Sequence, residues 1–380
     1  MTAFTIEQPT FDWWDWSPIA HELLDSEFFS SRMHARELPL RPRVASMFSG
    51  CGGMDLGLKW AGFETVYANE IDHQASATFR ENLGIEVDTR SIEDVDVRSI
   101  PDHDLLVGGF PCQPFSYAGL RKGLRDPRGM LFFGLMDILD TKRPGFFIFE
   151  NVKGLLTHDK GRTFQNVSKA ILEVGYHFTY AIINASDLGC PQRRERLFIV
   201  GMRNDIEADF VFPSFRLPVV SVREAIGDLI GRTDLVNNEP MKHTKRILER
   251  YKYIPQGGSM ADVPAEHQQR KRGDASTVSG KQSTQSYHRM VETEPSPTVC
   301  AMFQAHFIHY SQDRNLTARE AARLQTFPDD FIFHGKRTVM SWEKELSQYQ
   351  QIGNAVAPRV AYTLGRGLYE QVLASYLNHG

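Results

Sequence analysis

From Arg43 to about Met202 the chain alternates short apolar, β-prone runs with longer stretches of helical periodicity. A parallel strand cannot be reached through a tight turn, so this alternation points to parallel strands joined by crossover helices. The expected fold class is α/β, a doubly wound, mostly parallel sheet. Strands are expected at Val44–Phe48, Thr65–Ala68, Asp104–Val107, Phe146–Phe149, Phe178–Ile183 and Leu197–Val200, and helices at Asp72–Asn82, Met130–Asp140 and Thr163–Val174. From about Pro213 the pattern degrades into Pro-, Gly- and Ser-rich sequence such as Pro255-Gln-Gly-Gly-Ser259, which reads as a second, smaller, irregular domain. Thr317–Gln325 reads as a helix with a capping box, Thr317 as N-cap and Glu320 at the third helical position. Residues Gln351–Gly380 regain α/β character through a Gly-Asn turn and an apolar helix Val356–Ser375. The division expected is an extension of unassigned role (1–42), a main domain (43–212 with 350–380) and the irregular domain (213–349).

Charge is unevenly spread along the 380 residues. The net formal charge is only −4. Residues 1–37 carry a net of −5 and residues 241–289 a net of +6, so a protein without an overall basic signature still has one local footprint for a polyanion. No apolar run is long enough to span a membrane, and the N-terminus lacks a signal-peptide pattern, so a soluble, cytoplasmic protein is expected. The four cysteines, Cys51, Cys112, Cys190 and Cys300, are too far apart for a disulfide framework or a Cys-x-x-Cys metal site. Free thiols and no metal are the expectation.

Ser49-Gly-Cys-Gly-Gly-Met-Asp-Leu-Gly57 follows the first strand and opens a helix, where glycines let a ligand approach the backbone. It departs from the dinucleotide fingerprint, since Asp55 falls where the third glycine belongs and would repel a pyrophosphate. Glu70, about twenty residues on, ends the second strand, where a carboxylate can accept hydrogen bonds from both ribose hydroxyls. Together these suggest an adenosine-bearing cofactor without a pyrophosphate, S-adenosylmethionine. Cys51 reads as a small residue packed in the loop.

Gly108-Gly-Phe-Pro-Cys-Gln-Pro-Phe-Ser116 follows another strand, and Phe146-Phe-Ile-Phe-Glu-Asn-Val152 runs out at Glu150. Ligands bind outside the carboxyl ends of open parallel sheets, so Cys112 and Glu150 are expected to converge on one crevice beside the cofactor. The Phe-Pro-Cys-Gln-Pro-Phe-Ser run resembles the nucleophile motif of the DNA (cytosine-5)-methyltransferases, bacterial restriction-modification type. Phe48–Gly57 resembles the family's cofactor loop, Phe149–Val152 its glutamate motif, and Gln192-Arg-Arg-Glu-Arg-Leu-Phe-Ile-Val-Gly201 its Gln-x-Arg-x-Arg block. Arg319–Pro328 resembles the block that ends the target recognition domain, and Gln351-Ile-Gly-Asn-Ala-Val-Ala357 the last motif. The resemblance runs through residues 43–375 in family order.

What the resemblance implies is a methyl transfer to C5 of a flipped cytosine in a short double-stranded DNA site. Cys112 would add to C6, Glu150 would protonate N3, and Arg194 and Arg196 would place charge near the base O2, the nucleophile and a phosphate. A stacked base is out of reach, so the target must leave the duplex, and the basic loop Gly119–Gly129 fits the family's mobile catalytic loop. Implied cofactor contacts are Phe48, Gly50, Gly52, Leu56, Glu70, Ile71, Ile92, Pro111, Leu131, Asn354 and Ala355. Ser91 departs from the family pattern, which often has an Asp there for the adenine amine; Asp88 or Asp94 could take its place. DNA contacts are expected from Gln113, Ser116, Arg121, Lys122, Arg128, Arg270, Lys271 and Arg272, with Lys281 and Arg289 also suited to phosphate. The expected partner is double-stranded DNA, met by a monomer, with a cognate restriction endonuclease acting on the same site. Two rivals are weighed: the RNA-directed branch of the family, which usually has Pro-Pro-Cys where this chain has Phe110-Pro-Cys112, and a catalytically silent DNA-binding protein.

Overall fold

The computed structural model describes residues 15–25, 37–110, 127–268, 270–271, 274–278, 287–301, 307–339 and 343–379. Seven strands form one sheet: β1 (Arg43–Met47), β2 (Glu64–Asn69), β3 (Val87–Asp88), β4 (Leu105–Gly109), β5 (Phe146–Val152), β6 (Tyr176–Asn184) and β7 (Glu195–Arg203). Their order is β3-β2-β1-β4-β5-β7-β6. The first five strands pair in parallel, whereas β7 runs antiparallel to both β5 and β6. The sheet is therefore the expected mostly parallel one, closed at one edge by an antiparallel pair. Strands β4 and β5 read as unbroken apolar runs, Leu-Leu-Val and Phe-Phe-Ile-Phe, because helices cover both of their faces.

On one face the helices Gly53–Trp60 and Pro358–Leu368 pack together over β1. They touch at Gly57, where a Cβ would lie 2.1 Å from the Pro358 carbonyl oxygen, so only glycine permits the approach. The other face is covered by the helices Pro127–Lys142 and Arg162–Glu173, with Phe132, Leu135, Leu139, Phe164 and Ile171 buried against Phe147 and Phe149. Strand order reverses between β1 and β4. That switch point opens a crevice at their carboxyl ends.

The segment 213–347 holds short helices and two-residue ladders. The helix Ala318–Leu324 begins on the expected capping box, Thr317 with Glu320. Val222, Ile226, Val299, Phe307, Leu316, Phe327 and Phe331 bury into the same apolar cluster as Val44 and Leu58, so this segment shares its main core with the sheet. A small cluster of its own joins Tyr251, Ile254, Met260, Val263 and Ile308.

Two local expectations are corrected. Gly353 and Asn354 end a helix, Gln348–Asn354, which starts on its own capping box of Ser347 and Gln350. The apolar helix then starts at Pro358, whose fixed φ suits the first helical position, and changes at Tyr369–Leu373 to π-helical winding. The N-terminal extension is also placed: the helix Ser17–Asp25 sits on Pro358–Leu368, with Trp16 against Gly367, Phe210 and Phe215. Among the described residues no helix is long and apolar enough to cross a membrane.

Candidate active site

A cleft of about 420 Å³ opens at the switch point. Three groups of residues line it: Phe48, Ser49 and Gly50 after β1, Gly108, Gly109 and Glu150 from β4 and β5, and Leu346, Gln351, Asn354 and Ala355 from the returning chain. Leu131 adds an apolar wall. Phe48 is held at φ 53°, a region bulky residues seldom enter, and Gly50 follows at φ 56°. A Cβ on Gly50 would meet nothing within 4 Å, so this glycine faces open cleft. Gly52 serves packing instead, since a Cβ there would lie 2.7 Å from Leu83 and 2.9 Å from Phe79.

Glu70 is fixed by two backbone amides. Gly50 N–H donates to its Oε2 at 2.9 Å and Asp72 N–H to its Oε1 at 2.9 Å, leaving lone pairs on both oxygens for a diol. Burial raises its pKa, and the nearby Asp72 carboxylate adds to the rise. The described lining contains three carboxyl groups, Asp55, Glu70 and Glu150, and no lysine, arginine or histidine. Such a lining disfavours a polyphosphate and suits a cationic ligand with ribose hydroxyls. S-adenosylmethionine has that chemistry, so the residues present fit it.

At the reaction end, Gly109 pairs with Glu150 across β4 and β5. A Cβ on Gly109 would lie 3.2 Å from Glu150 Oε2, so the glycine leaves room for the carboxyl group. Arg196 Nε stands 3.1 Å from Glu150 Oε1. Burial pushes the Glu150 carboxyl up, while Arg196 and then Arg194 pull it back. Asn151, the next residue, donates from Nδ2 to the Phe110 carbonyl at 2.8 Å, fixing the chain two residues before Cys112 to the strand that carries the glutamate.

Arg194 is placed differently from the expectation of charge near the base. It is only 3% exposed, and it donates to the carbonyls of Val299 (2.8 Å), Gly353 (3.0 Å) and Ala355 (3.0 Å). Desolvation lowers its pKa to about 9. Gln192 is fully buried beside it, accepting from Val299 N–H at 3.1 Å and donating to Gln325 Oε1 at 2.6 Å. Arg289 is likewise corrected as a phosphate contact. Its guanidinium is buried and bonded to the carbonyls of Ile254, Tyr251, His309 and Gln312 and to Asp313.

Of the implied cofactor residues, the structure brings Phe48, Gly50, Glu70, Leu131, Asn354 and Ala355 to the cleft. It does not bring Leu56, which is buried in the core, or Ile92, which packs against Gly134. Ile71 is 65% exposed beside Glu70. Asp88 is committed to Tyr67 and Arg90, and pairing with Arg90 holds its pKa at about 2. Asp94 is exposed. Burial pushes the Cys51 thiol up to about 12, in keeping with a packing role. Pro111, Cys112, Gln113, Ser116, Arg121, Lys122, Arg272 and Lys281 lie outside the described residues. For Arg128, Arg270 and Lys271 the backbone alone is described, in a helix and a short strand.

The family model for C-5 cytosine-specific DNA methylases matches residues 42–370. The chain belongs to that family. This methylase is 40% identical over 362 residues to the Type II methyltransferase M.DdeI of Desulfomicrobium norvegicum, covering 84% of this chain and 87% of the relative. It is 37% identical to the Type II methyltransferase M.NgoFVII of Neisseria gonorrhoeae, over 86% of each. In fold the methylase is similar to a DNA modification methyltransferase encoded within an E. coli prophage, with a TM-score of 0.65 at 24% identity over 87% of this chain and 99% of that one.

Sequence reasoning missed Leu346, Gln351 and the committed state of Arg194. Asn151 was inside a quoted motif, but its partner, the Phe110 carbonyl, has no sequence signal.

Proposed function

We propose that this DNA (cytosine-5)-methyltransferase uses S-adenosylmethionine to methylate C5 of a flipped cytosine in a short double-stranded site. The observation that carries this reading is that Glu150, tethered by Arg196, and Glu70, tethered by Gly50, line one acid-rich cleft beside the end of β4. When bound, S-adenosylmethionine supplies an electrophilic methyl group. Phe48, Gly50, Glu70, Leu131, Asn354 and Ala355 would hold it.

The thiolate of Cys112 adds to C6, forming a carbon–sulfur bond as the C5–C6 π electrons shift toward N3. Glu150, a mostly buried carboxyl group whose pKa is raised, delivers its proton to N3, which leaves C5 an enamine-like carbon able to attack the methyl group that the cofactor would supply. Loss of the C5 proton to solvent water then re-forms the C5–C6 double bond and expels the thiolate, and N3 returns its proton to Glu150. Arg196 neutralises Glu150 once its proton is gone.

The segment 213–349 is assigned target recognition, with 43–212 and 350–380 as the catalytic unit. The kinship with Type II methyltransferases supports an enzyme that guards DNA against a cognate restriction endonuclease; the enzyme would act as a monomer in the cytoplasm. A duplex carrying 5-fluorocytosine tests the reaction, because fluorine at C5 blocks the final elimination. A covalent adduct with DNA is expected, and Cys112→Ser should abolish it. No adduct with any DNA would break the reading, and an adduct with tRNA alone would move the enzyme to the RNA-directed branch.

A further inference from the structure

The returning chain enters the cleft through a segment, 343–347, that is tied to the cofactor side of the sheet by contacts of long sequence separation. Leu346 N–H donates to Asp72 Oδ2 at 2.7 Å. Gln74 Nε2 donates to Glu345 Oε2 at 3.0 Å, and Gln351 Nε2 to the Leu346 carbonyl at 3.2 Å. Ser347 then caps the helix that ends at Asn354. The half-buried Leu346 side chain is thus set into the wall of the cleft that Glu70 also lines.

Three of the bonds that Asp72 makes bear on the cleft wall. Its Oδ1 accepts from Ala75 N–H at 2.8 Å, capping the helix His73–Leu83, its Oδ2 takes the Leu346 amide, and its own N–H donates to Glu70 Oε1. One residue therefore fixes the cleft's diol-binding carboxylate and its leucine relative to each other. Leucine at this place cannot serve catalysis, and a half-exposed apolar side chain on a cleft wall gains by being covered.

We propose that Leu346 is a cofactor-binding residue, the apolar cover for the nucleoside half of S-adenosylmethionine, and that Asp72 is its positioning residue. This rests on the cofactor reading given above. The geometry makes the segment 343–347 a strap that completes the cofactor site without touching the DNA chemistry.

The test is calorimetric titration of the full-length protein with S-adenosylhomocysteine, alongside separate KM values for cofactor and DNA. Leu346→Ala should weaken binding about tenfold, Leu346→Met should restore it to within about twofold, and KM for S-adenosylmethionine should rise in step while KM for DNA stays fixed. Asp72→Asn keeps one acceptor oxygen, which cannot serve both the helix cap and the strap; it should weaken binding about threefold. Adding it to Leu346→Ala should cost little more, because both act on one contact. Wild-type affinity in Leu346→Ala, or a loss shared equally by DNA binding and thermal stability, would overturn the proposal while leaving the cofactor reading intact. Failure of the wild-type protein to bind either cofactor form would overturn the cofactor reading itself, and the proposal with it.

Discussion

The reaction end of the cleft and the returning segment behind it each take an arginine from the head of β7, and they use it in opposite ways. Arg196, 19% exposed along its side chain, has one carboxylate partner, Glu150, at the cleft. Arg194, two residues earlier, donates from both terminal nitrogens to three backbone carbonyls and, among the described residues, faces no acid within hydrogen-bonding distance. A charge with one side-chain partner at an open cleft can be re-paired when a substrate arrives. A charge surrounded by carbonyls holds backbone in place, and moving it would take a donor from each of them. Identical residue types in one motif thus divide between chemistry and architecture, and it is their partners that divide them.

Three substitutions probe this contrast. The largest effect is expected from Arg194→Met, which keeps bulk but removes the charged donor from the Val299, Gly353 and Ala355 carbonyls. Unfolding free energy should fall by about 3 kcal/mol in urea titration, and Arg194→Lys should not rescue it, since an ammonium cannot fork to three acceptors. A stable Arg194→Met with a purely catalytic defect would erase the contrast. Next comes Arg196→Gln, which should fold normally and lower kcat/KM about tenfold. Arg196 pulls down the Glu150 pKa, so its removal raises that pKa further. The protonated form of Glu150 then survives to higher pH, and the alkaline limb of the kcat/KM profile should move upward; a downward move would contradict the pairing.

The smallest effect concerns Asp55, a carboxyl group 1% exposed that accepts from the hydroxyls of Ser46 (2.9 Å) and Thr65 (3.0 Å) and, among the described residues, has no cationic partner. Burial raises its pKa to about 6 from an ordinary 3.8. Ionisation is easier in the unfolded chain, so the folded state loses stability as pH rises from about 4 to about 6, and the deficit persists above that range. Asp55→Asn should therefore be more stable than the parent by about 1 kcal/mol at pH 8 and no more stable near pH 4. Melting curves at the two pH values decide it. Equal shifts at both would show that the carboxylate charge is not what the fold tolerates there.

The sheet was legible because its signals are local. Apolar runs mark β4 and β5, and the glycines of the loop after β1 and the carboxylate of Glu70 sit at fixed spacing from strands. The capping box at Thr317 was equally local. The direction of β7 was not legible, since an antiparallel edge strand has the same composition as a parallel one. Nor were the partners of Arg194, 105 and 159 residues away, or the bond between Asp72 and Leu346, which spans 274 residues. Side chains that serve distant backbone leave no pattern in the sequence around them. Ile92 and Leu56 show the converse: a motif position can be occupied by the expected apolar residue while the fold uses it for packing.

The seat of the N-terminal helix has a consequence for the order of synthesis. Ser17–Asp25 is made some 340 residues before the helix it sits on: Arg359 donates to the Leu23 carbonyl at 2.8 Å, the Tyr362 hydroxyl donates to Glu22, and Trp16 lies against Gly367. A nascent chain must carry Ile19 and Leu23 without this helix beside them until Pro358–Leu368 has been made. The same helix follows closely on Asn354 and Ala355 at the cleft, so completion of the cleft and seating of Ser17–Asp25 await the same stretch of chain.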